Sequence, residues 1–93
     1  MPAVIGPCWL CRRDLGRRVE LHHPVPKSRG GRTSVPLHPI CHRTLHATFP
    51  NADLARMGDN LALLRANPDL ARFLLWIADK HPDFHAPTAR KKR

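Results

Sequence analysis

Apolar and polar positions alternate over Val19-Glu20-Leu21-His22, the period-two pattern of a short strand. A second strand is expected over Thr33 to Leu37, interrupted by Pro36. Between them, Pro24 to Arg32 reads as a loop. Pro24 and Pro26 break pairing there, and Gly30-Gly31 permits a tight turn. Beyond Pro39 the pattern predicts a helix from about Cys41 to Thr48, ended by Pro50. The second half reads as helical up to about Lys80. Asn51 is placed to cap a short helix that stops at Gly58, and Asp59 or Asn60 to start another through about Ala66. Asn67-Pro68-Asp69 combines a cap, a proline at the first helical position and an acid in the first turn. Leu70, Phe73, Leu74 and Ile77 then recur at helical spacing and form one apolar face, in a helix expected to close near Lys80, before Pro82. No internal repeat is visible.

This order of elements predicts an α+β fold: a loop-rich knuckle around Cys8-Trp9-Leu10-Cys11, a ββα unit, then two or three C-terminal helices. A chain of 93 residues is expected to form a single domain. Within it, residues 8–50 carry the knuckle and the ββα unit, 51–80 the helical extension, and 81–93 a basic tail. The apolar residues cluster in the helical extension, so the first half is short of core. Small domains of this kind rely on a metal, a disulfide or a partner. No apolar run approaches the length of about 18 residues that a membrane span needs. The start, Met1 to Pro7, lacks the charged and apolar stretches of a secretory signal, so a cytoplasmic protein without membrane association is expected.

The net charge of +9 is unevenly spread. Residues 1–50 hold eight Lys and Arg against only Asp14 and Glu20, residues 51–89 hold four against five acids, and the tail reads Arg90-Lys91-Lys92-Arg93. Positive charge therefore accompanies the cysteines and most of the histidines. That is the pattern of a protein that binds a polyanion. Aromatic residues are few, with no tyrosine, which argues against a base-stacking platform for single strands.

Three cysteines cannot close a disulfide framework. Cys8-x2-Cys11 and His38-x2-Cys41 instead form two ligand pairs, each able to reach one ion, and thiolates with imidazole suit tetrahedral zinc. Structural zinc on Cys8, Cys11, His38 and Cys41 would brace the half that lacks core. A second set comprises His22-His23 and His42-x3-His46. On a helix, His42 and His46 lie one turn apart on one face. On a strand, His22 and His23 point to opposite sides, so one can join a metal site and the other is left free. Three imidazoles lean toward Zn, Ni or Mn over Mg, which prefers oxygen ligands.

These residues also resemble a known motif. Glu20-Leu21-His22-His23, the Gly30-Gly31 loop and Thr33 to His46 look like the HNH nuclease motif over roughly residues 8–50. The doubled histidine and the His-x3-His helix resemble the colicin nuclease domains, and the cysteine pairs resemble the zinc-containing HNH proteins. The resemblance implies a ββα-metal fold, with His22, His42 and His46 as ligands of a catalytic divalent metal and His23 as general base. It places Thr33 where the family usually has its eponymous Asn; Thr can hydrogen-bond but has no amide. Glu20 matches an acid that some members carry near the doubled histidine. His38 stands where relatives usually have Cys, which keeps a valid zinc ligand.

The chemistry suits the implied activity. Imidazole ordinarily titrates near neutral pH, as a general base for water requires, and a metal stabilises charge on a phosphodiester. Lys27, Arg29, Arg32 and Arg43 lie close in sequence and are expected to hold the nucleic-acid backbone without reading bases. The leading expectation is an endonuclease that hydrolyses phosphodiester bonds, of double-stranded DNA before RNA; the resemblance implies that it leaves 5′-phosphate and 3′-hydroxyl ends. The alternatives are a non-catalytic, zinc-containing nucleic-acid-binding or regulatory module, and a metal-stapled structural protein. So short a chain has no evident recognition domain, so specificity is expected from a homodimer, from a partner protein or not at all.

Overall fold

The computed structural model describes residues 6–24 and 34–86. They form a small α+β unit in the order β1 (Glu20–His22), β2 (Val35–Leu37), α1 (Pro39–Thr48), α2 (Asn51–Met57), α3 (Leu61–Arg65) and α4 (Pro68–Ile77). This arrangement fits the expected ββα-metal fold, with three helices in the extension. Both strands are shorter than the alternation implied. β1 and β2 pair antiparallel, with Glu20 opposite Leu37, Leu21 opposite Pro36 and His22 opposite Val35. In a sheet of two strands each strand is an edge, so Pro36, which has no N–H, is tolerated. Its carbonyl accepts from the Trp9 N–H at 2.8 Å and ties the knuckle to β2.

α1 starts two residues earlier than expected, because Pro39 itself occupies its first turn. In α2 the cap position falls on Pro50, and Asn51 is the first helical residue instead of the expected cap. Gly58 ends α2 with φ of 57°, where a side chain would be strained. The next two starts follow the sequence reading. The Asn60 side chain accepts from Leu63 N at 3.1 Å, and the Asn67 side chain accepts from Asp69 N and Leu70 N at 2.9 and 3.1 Å.

One core joins the halves. Leu10 of the knuckle and Leu37 of β2 are buried with Ile40, Cys41 and Leu45 of α1, Phe49, Leu54, Leu64, and Leu70 and Ile77 of α4. Phe73 and Leu74 pack against this cluster while half-buried, completing the expected face of α4. α4 ends at Ile77, one turn short of Lys80. The segment after it does not behave as the tail expected from His81 onward. Residues 81–86 lie on the protein, where Phe84 and Ala86 pack against the core and Arg13 donates to the carbonyl oxygens of Lys80 and His81. Among the described residues, no helix is long and apolar enough to cross a membrane.

Candidate metal centres

The Cys8–Cys11 pair sits on a tight turn. Cys8 N donates to Arg13 O at 2.8 Å, Arg12 N donates to Cys8 O at 2.9 Å, and Pro7 bridges Asp14. Arg12 takes the left-handed conformation, φ of 70°, that the turn requires. His38 and Cys41 come from the other side, just before and within the first turn of α1. The four ligand atoms lie within 4.8 Å of one another. His38 Nδ1 stands 3.4 Å from Cys11 Sγ and 3.8 Å from Cys41 Sγ. Zinc–ligand bonds of about 2.3 Å to sulfur and 2.0 to 2.1 Å to nitrogen give tetrahedral edges of roughly 3.5 to 3.8 Å, so the set fits zinc. The imidazole is held in the required tautomer, because His38 Nε2–H donates to Asp14 O at 2.8 Å and leaves Nδ1 free toward the sulfurs.

Charge points the same way. Hydrogen bonds from the Cys11 and then the Cys41 thiol push the Cys8 thiol strongly down. Donation to Cys11 and Cys8, together with burial, pushes Cys41 far up. One sulfur can therefore ionise easily and the set as a whole cannot, unless a cation offsets the accumulated charge. Arg13 adds a weak contact to Cys11 Sγ at 3.7 Å.

The second cluster gathers His22 from the end of β1 with His42 and His46 from α1. Their ring centroids lie 5.3, 5.4 and 4.8 Å apart in the order His22–His42, His22–His46 and His42–His46. His42 Nε2 and His46 Nε2 are 3.2 Å apart, close to the edge of about 3.3 Å that bonds of 2.0 to 2.1 Å give around a tetrahedral ion. His42 Nδ1–H donates to Glu20 Oε1 at 2.8 Å, which aims Nε2 at the cluster. His22 is buried, His42 half-buried and His46 exposed, so the cluster opens to solvent on the His46 side. Burial, with the neighbouring His42, His46 and His23, pushes His22 down to about 4. Burial and His42 lower His46 as well. Both groups are thereby kept neutral, as ligation requires.

The other expected site residues fall around this cluster. His23 follows β1 directly, is exposed and lies outside the group of three. Arg43 is exposed on α1 beside His42. Glu20 is a half-exposed partner of His42. Lys27, Arg29, Arg32, Thr33 and the tail 90–93 lie outside the described residues. Two contributors were not foreseen. The Asp14 carbonyl orients His38, and Trp9 lies 6.1 Å from His22, linking the knuckle to the histidine cluster. A backbone carbonyl leaves no mark in a sequence, so only the position of Asp14 three residues past Cys11 hints at the first.

No family model matches the chain, and no solved structure matches it. The chain is 39% identical over 83 residues to the uncharacterized protein YisB of Bacillus subtilis (strain 168), a match that covers 86% of this chain and 81% of that protein.

Proposed function

We propose, from the premise that the chain belongs to the family of the Bacillus subtilis protein YisB, that it is a metal-dependent endonuclease of the HNH type acting on nucleic acid, DNA first. The observation that carries this reading is the His22, His42 and His46 cluster, with Glu20 on His42, an open side at His46 and a further exposed histidine, His23, outside the ligand group. A purely structural metal would be better served by four ligands and a closed site, as at the Cys8 cluster.

His22, His42 and His46 would hold one divalent ion. When bound, such an ion stabilises charge on the phosphate and on the leaving oxygen. His23 accepts the proton of the attacking water at its imidazole, a task that a ligated histidine cannot perform. Glu20 fixes the tautomer of His42, and through it the direction of Nε2. Arg43, with Lys27, Arg29 and Arg32, holds phosphates by charge-assisted hydrogen bonds that position the strand without selecting sequence. Cys8, Cys11, His38 and Cys41 would hold a zinc that takes no part in the reaction; it would fix the start of α1 and hence the spacing of His42 from His22.

The test is cleavage of supercoiled plasmid by protein whose second site has been stripped and then reloaded with Mg, Mn, Ni, Co or Zn in turn. Nicking or linearisation with at least one ion is expected. Tight binding of nucleic acid without cleavage under any ion would favour a non-catalytic binding module.

A further inference from the structure

Three devices fasten the C-terminal segment to the loop between the knuckle and β1. Arg13 donates to the carbonyls of Lys80 and His81. The Arg17 N–H donates to the Asp83 carboxylate. Gly16 is bare where a Cβ would lie 2.7 Å from the Pro82 carbonyl oxygen, so any larger residue would push the segment off. Between this segment and the start of α1 lies a cleft of about 230 Å³, lined by Arg17, Arg18, Pro39, Pro82, Asp83 and Phe84, with His85 adding an imidazole.

The lining has two distinct parts. Arg17 and Arg18 are exposed, and among the described residues neither guanidinium makes an ion pair. Asp83 opposes them, although one of its oxygens already accepts the Arg17 N–H. Pro39, Pro82 and Phe84 supply an apolar wall. The Phe84 ring is steadied by Trp76, edge to face at 5.4 Å between centroids. Unpaired guanidinium groups beside an apolar wall suit a ligand that is anionic at one end and flat or apolar at the other, the description of a nucleotide unit.

Its position agrees. Pro39 is three residues before His42, a rise of about 4.5 Å along α1, and His46 is about 10 Å along. Arg18 is two residues before Glu20, which holds His42. The cleft is thus lined by the first residue of the helix that carries His42 and His46 and by the residue two before Glu20, so it borders both elements that build the histidine cluster. We propose that this cleft is a subsite for a nucleotide flanking the one at the histidine cluster, with Arg17 and Arg18 on its phosphate and Phe84 against its sugar or base. The identity of the polymer rests on the nuclease reading above.

Binding of a short duplex DNA to the full zinc-containing chain, without added divalent ion and over a range of salt, tests this. Arg17→Ala/Arg18→Ala is expected to flatten the slope of log affinity against log salt by about 0.9 for each phosphate no longer neutralised, which is roughly eightfold in affinity per phosphate at 0.1 M salt relative to 1 M. Asp83→Asn, whose amide oxygen can still accept the Arg17 N–H, is expected to tighten binding. Arg56→Ala, which removes an exposed charge on α2, is the reference and should leave the slope unchanged. A double variant that matches Arg56→Ala overturns the subsite, whether or not the wild type cuts. A flattened slope in a protein that cuts nothing supports the subsite while the nuclease reading falls.

Discussion

Glu20 and His42 are joined at 2.8 Å across the interface between β1 and α1, carboxylate oxygen to Nδ1. The strand thereby sets the direction in which a helical histidine presents its other nitrogen. Because Glu20 and His22 are two residues apart on β1 and share a face, one strand supplies both a ligand of the cluster and the orienter of a second. Loss of the carboxylate in Glu20→Ala should weaken the second metal about 10- to 100-fold, the usual effect of removing such a partner. Glu20→Gln, which can still accept the bond, should fall between. Calorimetric titration of the second site, with knuckle zinc measured in parallel and unchanged, checks this.

The knuckle predicts a different response to chelation. Its ligands come from residue 8 at one side and from α1 at the other, and Cys8 and Cys41 are themselves part of the buried core. Removing zinc takes away the ion that would join Cys8 and Cys11 to His38 and Cys41, so the motif half should lose its structure. Circular dichroism on zinc removal should show loss of native signal, and the thiols should become freely reactive. Elemental analysis should return one tightly held zinc in protein with all three cysteines intact and none in Cys41→Ser.

Acid should act through His22. Its folded form titrates near 4, depressed by burial and by its histidine neighbours, against an ordinary value of about 6.5. Above 6.5 both folded and unfolded chains carry it neutral, and it adds no pH dependence. Between 6.5 and 4 the unfolded chain takes up the proton first, so stability falls as pH falls through that window. Urea midpoints of protein stripped of the second metal, measured across this range, should decline less steeply in His22→Gln than in the wild type. Acid release of knuckle zinc is common to both and cancels in the comparison.

Much of the fold and of both clusters was legible because it is local. The spacing of Cys8 from Cys11, of His38 from Cys41 and of His42 from His46 is a property of turns and helices, and so survives translation into structure. The Asn60 and Asn67 caps were readable for the same reason. What escaped was set by interactions between distant segments. Residues 81–86 have a polar, tail-like composition, yet Arg13 and Gly16, more than sixty positions earlier, hold them against the knuckle. The Asn51 cap failed because Pro50, with φ fixed near the value the position needs, took that place. β1 and β2 were legible but are shorter than expected: Val19 and Ser34 lie outside the paired register.

The division of labour among the histidines can be separated by two substitutions. His23 is exposed and outside the ligand group, so His23→Ala should leave zinc content, second-metal affinity and fold intact. It should nevertheless lower cleavage by about 10² to 10⁴, the contribution of a general base. His42→Ala removes a ligand and strands Glu20, so cleavage should fall through loss of the second metal, with its titration weakened or abolished. The two variants should look alike in a plasmid assay and differ in a metal titration. Cleavage by His23→Ala at the wild-type rate would leave the metal site standing and move the base to another residue.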